Sequence, residues 1–167
     1  MKYCSNCANK NIYGLIEGNK RFHCLNCKTI HYQNPKPTAT LLCVKNNKIL
    51  LGKRAFKPAK NKWGLVGGFM ELNETIKEAA QRELYEETKL YGEVIDIIGM
   101  ESHFNSVFGD ILLIGLTMKV KNWNTLKAGD DITDAQLFDL NNLPDLAFES
   151  HKCLINKYKQ KWDRPLP

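Results

Sequence analysis

The sequence predicts an α/β domain carrying a small zinc ribbon at its N-terminus. Cys4, Cys7, Cys24 and Cys27 form a C-x2-C-x16-C-x2-C pattern, two short apolar runs then flank an Asn-Asn pair, and helix formers run unbroken from Glu74 to Thr88. At 167 residues, 43% hydrophobic and 25% charged, the chain has an ordinary globular composition, which excludes disordered and low-complexity classes.

Taken in order, each C-x2-C pair fits a tight knuckle whose turn lets two thiolates approach one tetrahedral ion, at a spacing that suits a four-cysteine zinc site. A module this short with few large apolar side chains needs such a staple. Closed four-thiolate coordination leaves no open position, so the expected role of Zn2+ is structural. His23 and His31, beside the cysteines, are the alternative ligands. Ile12 to Phe22 reads as a hairpin turning near Glu17, Gly18 and Asn19. Pro35 and Pro37 then hold the chain extended, which sets the ribbon at residues 1–34 and the main domain at 35–167.

Leu41 to Val44 and Ile49 to Leu51 read as a hairpin, since Asn46 and Asn47 tolerate the positive φ its turn requires. The basic loop that follows holds Lys53, Arg54, Lys57, Lys60 and Lys62, with Trp63 at its end. In the helix expected over Glu74 to Thr88, Ile76, Ala79 and Ala80 share a core-facing side that continues into Glu83, Glu86 and Glu87. Like charges at this spacing cost about 0.2–0.5 kcal/mol per pair even in water. Alignment with a buried face costs more unless a cation neutralises them. Hard divalent ions take carboxylate oxygens, so the trio reads as a Mg2+ (or Mn2+) cradle; the plainer reading is a solvated acidic face paired locally by Arg82 and Lys89. Gly67 and Gly68 let the backbone approach a ligand or offer a carbonyl to the metal. Cys43 and Cys153 read as core thiols, and His103 and His151 as structural.

The formal charge of +6 is unevenly divided. Residues 1–67 hold thirteen Lys/Arg against one acid, Glu17, whereas residues 68–167 hold eleven against seventeen. Such segregation suits an anionic ligand beside a bound cation, and the sign changes at Gly67 and Gly68. A small phosphate ester is favoured over nucleic acid as partner, and a homodimer stays open. The longest uncharged apolar run, Ile111 to Met118, spans eight residues, short of the roughly 20 a bilayer requires. MKYCSNC holds no apolar signal segment, so the expected location is cytoplasmic.

The run Gly68 to Leu90 resembles the Nudix box, G-x5-E-x7-R-E-U-x-E-E-x-G-U with U a bulky aliphatic residue. Gly68, Glu74, Arg82, Glu83, Leu84, Glu86, Glu87 and Leu90 match, while Lys89 replaces a glycine and Val66 a frequent proline. The resemblance implies a Nudix α/β/α sandwich with a mixed sheet. A ribbon running through Y-x-N-P-K-P into the box is similar to the subgroup of NADH pyrophosphatases and zinc-ribbon ADP-ribose or FAD pyrophosphatases. The Ser-Gln-Pro-Trp-Pro-Phe-Pro string of NADH pyrophosphatases is absent, which weakens NADH as substrate. By this resemblance Glu83, Glu86 and Glu87, with the Gly67 carbonyl, ligate catalytic Mg2+, and Arg82 and Glu74 orient them. Glu83 is the first choice for activating water, with Glu101 and Glu149 as later-loop candidates. Arg54, Gly68, Phe69 and Trp63 form the expected substrate-binding set, and Phe104 is a further stacking candidate. The expected activity is Mg2+-dependent hydrolysis of a nucleoside diphosphate linked to another group, of ADP-ribose, NAD(H) or FAD type. The alternatives are a nucleic-acid-binding or nucleotide-sensing module, and triphosphate or RNA cap hydrolysis on the same fold.

Overall fold

The computed structural model describes residues 1–162, which divide into two compact units, Met1–Pro35 and the chain from Lys36 onward. In the first unit β1 (Asn11–Ile16), β2 (Asn19–Cys24) and β3 (Ile30–His31) form an antiparallel sheet. The β1–β2 turn is two residues, Glu17 and Gly18, both at positive φ as a tight hairpin requires; Asn19, expected in the turn, instead pairs with Ile16. Both knuckles are built alike. Ala8 and Lys28, each following the second cysteine of its pair, take φ of 60°, and the amides of Cys4 and Cys24 donate to the carbonyls of Asn9 and Thr29. Cys4 and Cys24 are buried while Ile12, Tyr13, Leu15, Leu25 and Tyr32 are exposed, so apolar burial contributes little to this unit.

The second unit runs β4 (Lys36–Lys45), β5 (Lys48–Arg54), β6 (Trp63–Gly64), β7 (Val66–Phe69), α1 (Ile76–Thr88), β8 (Gly92–Ser106), β9 (Gly109–Val120), β10 (Ile132–Asp139) and α2 (Glu149–Trp162). The sheet order is β10-β5-β4-β9-β8, with β6 on β5 and β7 on β4. Its β4–β9 pairing is parallel and the others antiparallel, so the sheet is mixed, as expected. Central β4 is buried on both faces. Ala39, Leu41 and Cys43 pack with Ala79, Ala80 and Leu84 of α1, while Leu42 packs with Leu154 and Ile155 of α2. Since side chains alternate along a strand, the two helices lie on opposite faces. Cys43 is the core thiol expected, and Cys153 is half-buried.

The β4–β5 turn falls on Asn46 and Asn47, with φ of 49° and 59°. Helix α1 starts two residues later than the sequence suggests. Thr75 is its N-cap and forms a capping box with Glu78, which leaves Glu74 outside the helix. At the other end Lys89 takes the left-handed conformation (φ 57°) that glycine would occupy, and its amide donates to Tyr85 O. The turn is therefore unshifted by the substitution.

Candidate active site

A cavity of about 600 Å3 lies in the second unit, and α1 supplies its acidic wall through Glu83, Glu86 and Glu87. Glu83 and Glu87 are buried, on the side continued from Ala79 and Ala80, whereas the Glu86 side chain is 43% exposed. Arg82 organises this wall. Its Nη1 donates to Glu83 Oε1 at 2.7 Å and Glu86 Oε2 at 3.0 Å, its Nε and Nη2 grip both oxygens of Glu74, and Nη2 also donates to Phe69 O. Because Glu74 lies outside the helix, it can reach back across two turns to the guanidinium.

Strand β7 brings backbone against these carboxylates. The Gly67 amide donates to Glu87 Oε2 at 2.9 Å, and a Cβ at Gly68 would stand 2.5 Å from Glu83 Oε1. At Gly67 (φ 131°) a Cβ would fall 2.0 Å from Ala39 O across the β4–β7 ladder. Glycine at both positions is thus a condition of the close approach.

A second acidic group comes from the segment before β10. Lys127 and Gly129 donate their amides to the carbonyls of Thr88 and Glu87, capping the end of α1, and this places Asp130 and Asp131 on the cavity wall. Burial, and after it the charges of Glu83, Asp131 and Asp130, pushes Glu87 up to about 8 despite the Gly67 amide. Burial likewise raises Glu83, against the opposing effect of Arg82, while Arg82 holds Glu74 below its usual range. The wall therefore gathers more carboxyl groups than its one arginine can hold ionised, an arrangement a divalent cation would complete.

Two models of known families match, the NUDIX domain over residues 35–158 and the Nudix N-terminal zinc ribbon over residues 2–33. The chain belongs to the NUDIX family. It is 41% identical to the ADP-ribose pyrophosphatase of Methanocaldococcus jannaschii over 132 residues, 78% of this chain and 76% of that protein. It is 26% identical to the NAD-capped RNA hydrolase NudC of Vibrio atlanticus over 147 residues, 88% of this chain but only 52% of that protein, so it spans about half the length of this relative. A NUDIX hydrolase structure from Nitrosomonas europaea superposes with a TM-score of 0.85 at 31% identity, covering 100% of this chain and 95% of that one. The chain is accordingly a Nudix hydrolase, and enzymes of this family generally use divalent metals.

Of the substrate-binding residues expected for this Nudix domain, Arg54, Gly68 and Phe69 line the cavity. Trp63 does not. It packs in the α2-side core, edge-on to Phe138 at 4.7 Å with Lys53 over its ring, because β6 pairs with β5 and turns the indole toward β10. Phe104 is exposed outside the cavity lining. Neither later-loop glutamate lines it: Glu101 pairs with Lys157 of α2, and Glu149 pairs with Lys152 in solvent. Of the basic loop, Arg54 and Lys57 reach the lining, whereas Lys62 pairs with Asp145. His103 and His151, read as structural, both line the cavity beside Phe148. Asp130 and Asp131 are not singled out by the sequence, because their position depends on the cap that Lys127 and Gly129 place on α1.

In the ribbon the four cysteines bring their sulfur atoms within 4.8 Å of one another, with Cys4–Cys27 and Cys7–Cys24 separations of 3.6 and 3.5 Å. Tetrahedral Zn–S bonds of about 2.3 Å place sulfurs roughly 3.8 Å apart, so the set fits the ion. Hydrogen bonds from Thr29 pull Cys27 down to about 5, which favours the thiolate a metal needs. His23 and His31 stay outside this cluster. Among the described residues it is the one group of donors drawn so close; the glutamates are held by Arg82 and Gly67 instead. No helix of the described residues is long and apolar enough to cross a membrane.

Proposed function

We propose that this cavity hydrolyses the diphosphate of a nucleoside diphosphate linked to a second group, of ADP-ribose, NAD(H) or FAD type, releasing two monophosphates. The observation that supports it is the gathering of six carboxylates on one cavity, with Glu83 and Glu87 buried, Glu83 and Glu86 sharing Arg82, and Glu87 held by the Gly67 amide. The 41% identical relative, an ADP-ribose pyrophosphatase, points the same way. Glu83, Glu86 and Glu87 would hold Mg2+ or Mn2+, with the Gly67 carbonyl as a neutral ligand, and Zn2+ would be held by Cys4, Cys7, Cys24 and Cys27. The catalytic cation supplies Lewis acidity, neutralising phosphoryl oxygens and lowering the pKa of a coordinated water.

The protein groups then have separate tasks. Arg82, fixed by Glu74, orients Glu83 and Glu86. Arg54 and Lys57 meet the phosphate oxygens, and Phe69, edge-on to Phe108 at 5.5 Å, offers a face for a base. Glu83 stays the first choice for accepting the proton of the attacking water, and Asp130 and Asp131, on the same cavity wall, replace Glu101 and Glu149, which lie off the cavity, as the other candidates. Water adds to one phosphorus as the other phosphate leaves as a monoester.

The test is a panel of ADP-ribose, NADH, FAD, diadenosine polyphosphates, dGTP and NAD-capped RNA assayed with Mg2+. Turnover of ADP-ribose to AMP and ribose 5-phosphate is expected. Turnover confined to dGTP or capped RNA would move the assignment to triphosphate or cap hydrolysis. Inactivity on the whole panel, with tight salt-dependent RNA binding, would establish the binding-module alternative.

A further inference from the structure

The end of the cavity beside α2 carries polar groups for which diphosphate hydrolysis has no use. Ser150, in the first turn of α2, is 7% exposed and lines the cavity, and its hydroxyl has no hydrogen-bond partner. Folded chains rarely leave a buried hydroxyl unpaired. Next to it, His151 is built in with some care. The Leu65 amide donates to Nδ1 at 3.0 Å, and Gly64 makes room for the ring, since a Cβ there would stand 3.1 Å from Nδ1. Burial, and then the charge of Arg54, pushes the imidazolium down to about 3, so the ring is neutral and its proton sits on Nε2 as a donor. Phe148 meets His151 and His103 edge-on at 5.2 and 5.3 Å and carries the Arg54 guanidinium at 5.1 Å.

This wall differs in chemistry from the rest of the cavity. It offers a hydroxyl that donates and accepts and an imidazole N–H that donates, both uncharged. A phosphate would be better served by charged donors. A vicinal diol can accept from His151 while exchanging hydrogen bonds in both directions with Ser150. The Phe69–Phe108 pair, by contrast, is apolar and suits the face of a base.

We propose that Ser150 and His151 form a subsite for the hydroxyls of a neutral sugar ring, the second pentose of a nucleoside-diphosphate sugar. The inference rests on the hydrolase reading of the same cavity. It makes these residues determinants of which group is accepted beyond the diphosphate.

Binding to the full-length protein, measured by titration calorimetry without added divalent ion, separates the contributions. The ligands are ADP-ribose and β-methyl ADP, which share adenosine and diphosphate and differ in the second sugar. The unsubstituted protein should prefer ADP-ribose, and Ser150→Ala should shrink that preference about tenfold. The thermal midpoint of Ser150→Ala should hold or rise, because the hydroxyl it removes has no partner. His151→Asn keeps an acceptor for the Leu65 amide and should shrink the preference similarly. An unchanged preference in Ser150→Ala overturns the proposal. So does an equal loss on both ligands, which would place these groups against the shared base or phosphates. Hydrolysis of ADP-ribose with Mg2+ is followed separately, so that bound but unhydrolysed ADP-ribose overturns the hydrolase reading alone, and failure to bind either ligand together with failure to hydrolyse ADP-ribose overturns both.

Discussion

Glu83 and Glu87 sit where burial works against their charged forms, and that has a measurable sign. Glu87 is held at about 8 in the fold, well above the usual carboxylate range, and Glu83 is raised in the same direction. Between roughly pH 4.3 and 8 the metal-free folded state therefore keeps a proton that the unfolded chain has lost. Its stability should fall as pH rises through that window, as read from thermal melts; Mg2+ should restore it, and Glu87→Gln should flatten the profile. The same substitution should lower kcat/KM by at least about 100-fold, since even groups one step removed from a metal cost 10–100-fold. The two glycines separate geometry from folding. At Gly68 an added methyl meets the carboxylate of Glu83, a side-chain end rather than backbone, so Gly68→Ala should fold with a near-normal midpoint and lose activity on the order of tenfold or more. At Gly67 it meets the Ala39 carbonyl, so Gly67→Ala should cost about 3 kcal/mol or more in a denaturant titration.

Helix α1 is specified at both ends by local chemistry. Loss of the Thr75 cap in Thr75→Ala should cost about 1 kcal/mol and loosen the tie between Glu74 and Arg82. At the C-terminal end, Lys89 pays the left-handed penalty that glycine avoids. Lys89→Gly should raise stability by about 0.5–1 kcal/mol, offset in part by the loss of its Nζ contact with Glu86 O. Helix, turn and hairpin were all legible in the sequence because each depends on residues near one another in the chain. Trp63 was not legible: nothing in the basic loop around it indicates that β6 will pair with β5 and send the ring into the core. The cavity side of α2 was not legible either, for its histidine is recognisable as a site residue only beside Leu65, 86 positions earlier.

Over the whole molecule, the two units depend on different forces. The second has two apolar clusters, one under each helix, whereas the first buries two of its cysteines and leaves most of its large apolar side chains exposed. A zinc chelator should therefore release about one ion per chain and abolish the amide hydrogen-exchange protection of residues 11–31 first, with the sheet of the second unit retaining its protection. Persistence of protection in the metal-free ribbon would refute a structural role for zinc. The charge asymmetry also acquires a location. Arg54 and Lys57 from the basic half face Glu83, Glu86, Glu87, Asp130 and Asp131 from the acidic half around one cavity.

By itself the sequence determined the metal-binding chemistry of the ribbon, the box helix with its glutamates, and membership of a diphosphate-cleaving family. Fixed short spacings encode these features: two residues between thiolates, three or four between carboxylates on one helical face. The tertiary structure alone decided which residues complete the cavity. Asp130 and Asp131 line it where Glu101 and Glu149 do not, Trp63 packs in the core, and Ser150 with His151 reach it from the far end of the chain. Those positions depend on strand pairing and on caps formed between distant segments, and no local periodicity records such long-range contacts.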